Sequence, residues 1–125
     1  MVPGNIKHFL LDLDGTLYLG DRLFEATPRL LEKIKSTGRK KLFLTNNSSK
    51  SVNAYIEKLK RQGLSASRDD VLTSGSATIS YLRKETKTNK IFLMGTPSLE
   101  LEFLQAGFEL VEDERPDCVV LGFDR

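Results

Sequence analysis

The feature that most constrains this chain is a repeated alternation. A short apolar run with strand character stops at a polar cluster, and apolar residues at helical spacing then follow, closed by a glycine. Residues 6–13 hold the run Phe9-Leu10-Leu11, stop at acidic residues and Gly15, and suit a central parallel strand covered on both faces. Thr27-Pro28 reads as a helix N-cap followed by proline at the first helical position. Leu30, Leu31 and Ile34 share one helical face, and Gly38 is placed to end it. Residues 41–45 form a second strand that stops at Asn46-Asn47-Ser48-Ser49; Val52, Tyr55, Ile56 and Leu59 then recur at helical spacing up to Gly63. Val71-Leu72-Thr73 is a third strand, and Ser74-Gly75-Ser76 opens a helix through Ile79 and Leu82. The order βαβαβα predicts an α/β fold with a parallel sheet and right-handed crossovers.

After the polar stretch 84–89 the rhythm resumes with a strand at 91–94, a turn at Gly95-Thr96-Pro97 and a helix over 98–106 closed by Gly107. A short extended segment at 108–111 and a strand at 118–121 complete it. The second strand–turn–helix–glycine unit weakly echoes the one at 41–63, as reuse of one building block would, and nothing repeats at a fixed period. Val119-Val120-Leu121 is as apolar as a buried strand, yet only Gly122-Phe123-Asp124-Arg125 follow. A buried strand needs neighbours and a covering helix, so the chain reads as stopping partway into a second unit. Its open apolar end could encourage self-association, which leaves a homo-oligomer open while the sequence does not fix the oligomeric state.

Composition removes several function classes. The 19 basic and 17 acidic residues leave a net charge of +2, which is no electrostatic footprint for wrapping nucleic acid. There is no Trp, and aromatics are 8% of the chain, which disfavours a stacking platform for single strands. The lone cysteine, Cys118, makes no internal disulfide. No apolar run approaches the ~20 residues that span a bilayer. The start Met1-Val2-Pro3-Gly4-Asn5 lacks a basic region and an apolar stretch, so it does not read as a secretory signal. The expectation is a cytoplasmic enzyme or interaction domain, with neither nucleic acid nor membrane as partner.

The chemistry lies in what stops each strand. The first ends in Asp12-Leu13-Asp14-Gly15-Thr16, the second in Thr45-Asn46-Asn47-Ser48, the third in Thr73-Ser74-Gly75. Ligands of open parallel sheets bind outside the carboxyl ends of the strands, so the three clusters should converge. Alternation puts Asp12 and Asp14 on one side while Leu13 points into packing. Two carboxylates that close repel, so either a cation lies between them or one keeps its proton. Mg²⁺ accepts one or two carboxylates with phosphate oxygens and water. A protonated Asp14 could protonate a leaving oxygen and later take a proton from water, while Asp12 could attack phosphorus and form an aspartyl phosphate. Gly15 would let the backbone turn close to the ligand, and Thr45 and Asn46 supply uncharged donors to phosphoryl oxygens. Asp-x-Asp-Gly alone also marks plain turns and calcium loops, but an EF-hand would need further oxygen ligands and a late Glu that are missing here.

The strings FLLDLDGTLYLGD, LFLTNNSS and VLTSGSAT resemble the haloacid dehalogenase superfamily, and within it the NagD-like, 4-nitrophenylphosphatase-type branch. IFLMGTPSLELEFLQAGFELV and PDCVVLGFDR are similar to the opening of that branch's α/β cap. The resemblance implies a Rossmann-like core over residues 1–77, the start of a cap over 78–125, and Mg²⁺-dependent hydrolysis of small phosphate monoesters. It makes Asp12 the nucleophile and Asp14 the acid/base. The metal would be held by the Asp12 carboxylate and the Asp14 backbone carbonyl, and the phosphate by Thr45 and Asn46. The family's later lysine and Gly-Asp-rich acidic motif are not among these 125 residues, so little turnover is expected of them alone. Transfer to an acceptor other than water stays open. So does a non-catalytic phosphate-binding module, although a receiver domain is disfavoured because 42–44 and 71–72 lead into Thr, not Asp.

The remaining candidates read as structural. His8 lies at the amino end of its strand, away from the crevice, and Cys118 reads as a small buried hydrophobe. Lys33, Lys35, Arg39, Lys40 and Lys41 read as solvated charge around a helix end. Residues 18–21 suit equally a flap over the site and a plain turn.

Overall fold

The computed structural model describes residues 4–123; the first three residues, on which part of the leader reading rests, and the last two lie outside the described residues. The chain divides into two compact units that interleave in sequence: Met1–Thr45 with Tyr55–Leu72, and Asn46–Ala54 with Thr73–Arg125. Residue 77 falls inside a helix, Ser74–Glu85, that belongs wholly to the second unit.

The first unit is built on β1 (His8–Asp12), β4 (Lys40–Thr45) and β5 (Val71–Thr73, whose last residue falls in the second unit). Before β4 come a small antiparallel hairpin, β2 (Tyr18–Leu19) with β3 (Arg22–Leu23), and helix α1 (Ala26–Ser36). Helix α2 (Val52–Arg61) contributes most of its length, and a 3₁₀ turn at Arg68–Asp70 leads into β5. β1 and β4 are parallel, with Leu10 opposite Leu42 and Asp12 opposite Leu44. The sheet order is β1-β4-β5, so β4 is the central strand and β1, expected there, is an edge among the described residues. Its side chains alternate accordingly, and Leu10 is 65% exposed. The core gathers Leu13, Leu17, Tyr18, Ile34, Phe43, Tyr55 and Leu59, all at most 4% exposed. Each such side chain contributes about 1.5–3 kcal/mol through burial.

Thr27 does not cap α1. The cap position is Glu25, which makes no capping bond through its side chain. Thr27 sits inside the first turn, buried, and its hydroxyl donates to the Leu17 carbonyl at 2.7 Å. That carbonyl closes the hairpin by also accepting the Phe24 N–H at 3.1 Å. A buried acceptor with a second lone pair has recruited the threonine away from local duty.

The second unit holds α3 (Ser74–Glu85), β6 (Lys90–Met94), α4 (Pro97–Gln105), β7 (Glu109–Leu110) and β8 (Cys118–Leu121). Its sheet is parallel throughout, in the order β7-β6-β8. Leu82, Ile91, Leu99, Phe103 and Phe108 form the core, with the two phenylalanine rings 5.7 Å apart. Thr73 and Ser76 exchange side-chain and backbone bonds as a capping box for α3. Thr96 caps α4 with Pro97 at its start. Among the described residues β8 is an edge strand with one face on this core: Cys118 and Val120 pack against it, while Val119 and Leu121 are 56% and 72% exposed. It is therefore half-buried where its composition suggested full burial.

Candidate active site

Asp12 is the last residue of β1 and Thr45 the last of β4. Because Asp12 lies opposite Leu44, parallel pairing places these two carboxyl-end residues side by side. Leu13 is fully buried, so the exposed Asp12 and Asp14 flank it as alternation requires. The turn that follows is tight. Gly15 has φ 85°, in the region open mainly to glycine, and its N–H bonds the Tyr18 carbonyl at 2.8 Å. Thr16 reaches back, its hydroxyl donating to Oδ2 of Asp12 at 2.6 Å. One oxygen of Asp12 is thereby fixed and oriented.

Asp14 is held differently. The Tyr55 hydroxyl lies 3.5 Å from its Oδ2, and the same hydroxyl receives the Thr45 hydroxyl at 3.4 Å. The Lys58 ammonium lies 3.6 Å from its Oδ1 and 3.8 Å from the centre of the Tyr18 ring. Tyr55 thus links the acidic loop to the end of β4. Burial pushes the Tyr55 phenol upward, against the lowering effect of Thr45 and with help from the Asp14 charge. Burial first, then the Asp14 charge, raises Tyr18 further still. Both phenols therefore stay neutral beside the carboxylates.

Of the residues singled out in sequence, Asp12, Asp14, Gly15 and Thr45 come together in the first unit. Asn46, next in the chain, belongs to the second unit, where its carbonyl accepts the Ser74 hydroxyl at 3.1 Å. Residues 18–21 lie in the β2–β3 hairpin, which spans 18–23, with Tyr18 fully buried. His8 is exposed at the amino end of β1. There it lines a groove of about 990 Å³ with Leu31, Ile34, Lys40, Leu64 and Asp70, and none of the predicted site residues borders that groove.

Sequence reasoning missed Lys58 and undervalued Tyr55, read only as a core position. The available signal was a charged residue between Tyr55 and Leu59 on the inward face of α2, where an apolar side chain is the rule. Among the described residues no cluster of three or more His, Cys, Asp or Glu side chains could hold a metal. The Asp12 carboxylate with the Asp14 backbone carbonyl still fits Mg²⁺, which takes few protein oxygens and keeps water.

Comparisons with known proteins establish the family and the fold. The model of the haloacid dehalogenase-like hydrolase family matches residues 9–109. An acid sugar phosphatase of Staphylococcus haemolyticus (strain JCSC1435) is 32% identical over 120 residues, 96% of this chain and 46% of the relative. The structure of a 4-nitrophenylphosphatase from Thermotoga maritima superposes with a TM-score of 0.89 at 41% identity, covering 96% of this chain and 46% of that one. A glycerol phosphate phosphatase from Mycobacterium tuberculosis, solved with magnesium, gives a TM-score of 0.82 at 30% identity, covering 94% of this chain and 36% of that one. The chain spans about half the length of the curated relatives it matches. The α/β architecture, the strand-end aspartates and a family match along most of the sequence lead to one assignment: the chain belongs to the haloacid dehalogenase-like hydrolases.

Proposed function

We propose that this chain carries the nucleophile-bearing part of a Mg²⁺-dependent phosphatase acting on small phosphate monoesters. The observation that carries the reading is the meeting of Asp12, Asp14 and Thr45 at adjoining strand ends, with Tyr55 between the last two. The phosphatases among its relatives support the reaction class.

In this reading Asp12 attacks phosphorus through a carboxylate oxygen and the bond from phosphorus to the ester oxygen breaks. Asp14 gives that leaving oxygen a proton, releasing an alcohol. Water then attacks the phosphorus, Asp14 takes its proton, and the bond to Asp12 breaks to free phosphate and restore both residues. Thr45 and Asn46 act as neutral donors to the phosphoryl oxygens, with Gly15 leaving room for the group. The Asp12 carboxylate and the Asp14 backbone carbonyl would hold the metal, leaving the Asp14 carboxylate to Lys58 and Tyr55. When bound, Mg²⁺ supplies positive charge that offsets the phosphoryl oxygens. Residues 1–77 then serve as the catalytic core and 78–125 as the opening of a cap that selects substrate, in a cytoplasmic protein.

Release of 4-nitrophenol from 4-nitrophenyl phosphate, with and without Mg²⁺, tests this in the protein expressed from its complete gene. Turnover should require Mg²⁺, and Asp12→Asn should lower it by about 10⁴-fold or more, the loss of a covalent route. Metal-independent turnover, or turnover that survives the substitution, would refute the reading in favour of a binding module.

A further inference from the structure

We infer that Tyr55 and Lys58 are positioning residues for Asp14, each fixing one of its carboxylate oxygens; the inference rests on Asp14 being the acid/base. Tyr55 and Lys58 stand three residues apart on α2 and so share one face. They are 1% and 6% exposed. Lysines are almost never this buried unless paired, and α2 offers solvent directly to its neighbours Lys60 and Arg61, which are exposed. Lys58 instead turns its ammonium inward, onto the face of Tyr18 at 3.8 Å and to Oδ1 of Asp14 at 3.6 Å. The Tyr55 hydroxyl takes the other oxygen, Oδ2, at 3.5 Å, and is itself steadied by Thr45 at 3.4 Å. A carboxyl group held at both oxygens has little freedom to rotate, and each oxygen keeps a second lone-pair site, so a proton carried on one of them stays aimed at one leaving oxygen. The Asp14 side chain is otherwise 46% exposed, open for the reaction. Asp12 has its own tether in Thr16, so the two carboxylates are oriented independently.

The test uses leaving-group dependence in the protein expressed from its complete gene. 4-Nitrophenolate departs readily as the anion, whereas an alkoxide needs a proton. Tyr55→Phe keeps the buried ring and removes only the hydroxyl, so it safeguards the test if Lys58→Met folds poorly. For each, kcat/KM on an alkyl phosphate such as glycerol phosphate should fall about 10–100-fold, within the range lost when a general acid is misplaced. On 4-nitrophenyl phosphate kcat/KM should stay within roughly threefold, because this ratio reports the breaking of the ester and not the later attack of water, in which Asp14 acts alike for both substrates. Lys60→Met, on the exposed side of α2, should change neither rate. In metal-free protein the ¹³C resonance of the Asp14 carboxyl carbon should move in both variants while that of Asp12 does not. Equal losses on both esters, or carboxyl shifts at both aspartates or neither, would overturn the positioning role and leave the phosphatase reading standing. An unmodified protein that turns over neither ester would overturn both.

Discussion

Two residues show how one buried atom redirects a side chain. Thr27 and Thr96 each precede a proline, and the two dipeptides carry the same local instruction. Thr96 obeys it and caps α4, while Thr27 enters its helix and bonds the Leu17 carbonyl. Thr27→Val should therefore cost about 1 kcal/mol in denaturant unfolding, one net hydrogen bond, because Phe24 still satisfies that carbonyl. A cost near zero would show that the contact contributes nothing. Tyr18 presents the opposite case. It is fully buried, Asp14 acts on its hydroxyl both as a charge and as a weak hydrogen-bond acceptor, and among the described residues no partner meets that hydroxyl with good geometry. Removing a poorly paired buried hydroxyl relieves a desolvation cost. Tyr18→Phe should leave stability unchanged or raise it by up to about 1 kcal/mol, which a thermal midpoint measured against the parent would reveal.

At the scale of elements, ends were the most legible feature. Gly38, Gly63 and Gly107 were each read as stops, and each takes a positive φ just past its helix. At Gly38, with φ 68°, an added Cβ would meet nothing within 4 Å, so only the backbone objects. Gly38→Ala should cost about 1 kcal/mol and Gly38→Asn less, measurable by chemical denaturation. The turn Arg68–Asp70 gives a pH prediction. Burial by itself would raise the Asp70 carboxyl, but the Ser67 N–H and hydroxyl, each at 2.8 Å, and the Lys41 ammonium outweigh it and hold the group below the ordinary 3.8. A carboxyl depressed by folding stabilises the fold above its unfolded value, and this contribution disappears as pH falls through and below that value. Asp70→Asn should thus destabilise at neutral pH and flatten the loss of stability below about pH 4, as unfolding midpoints taken from pH 7 to pH 2 would show.

For the whole molecule, the acidic pair bears on metal affinity. Residues 1–125 offer two aspartates at the site and no larger cluster of metal ligands among the described residues. Calorimetric titration of this segment with Mg²⁺ should give weak binding, with a dissociation constant of about a millimolar or more, since Mg²⁺ sheds its water reluctantly. Tight binding would mean that one carboxylate and one backbone carbonyl suffice. The sequence by itself determined the order of the helices and the parallel strands, the helix stops and the Asp12, Asp14, Gly15 and Thr45 cluster, but not the antiparallel β2–β3 hairpin. These follow from hydrophobic period, glycine conformation and the rule that strand ends point one way, all local or nearly local properties. Tertiary structure alone decided that β4 rather than β1 is the central strand, that Thr27 abandons its cap, and that the loop after Thr45 joins the second unit. It also decided that Lys58 turns inward to Asp14, because a buried charge or carbonyl takes whichever partner the fold brings within 4 Å, however distant in sequence.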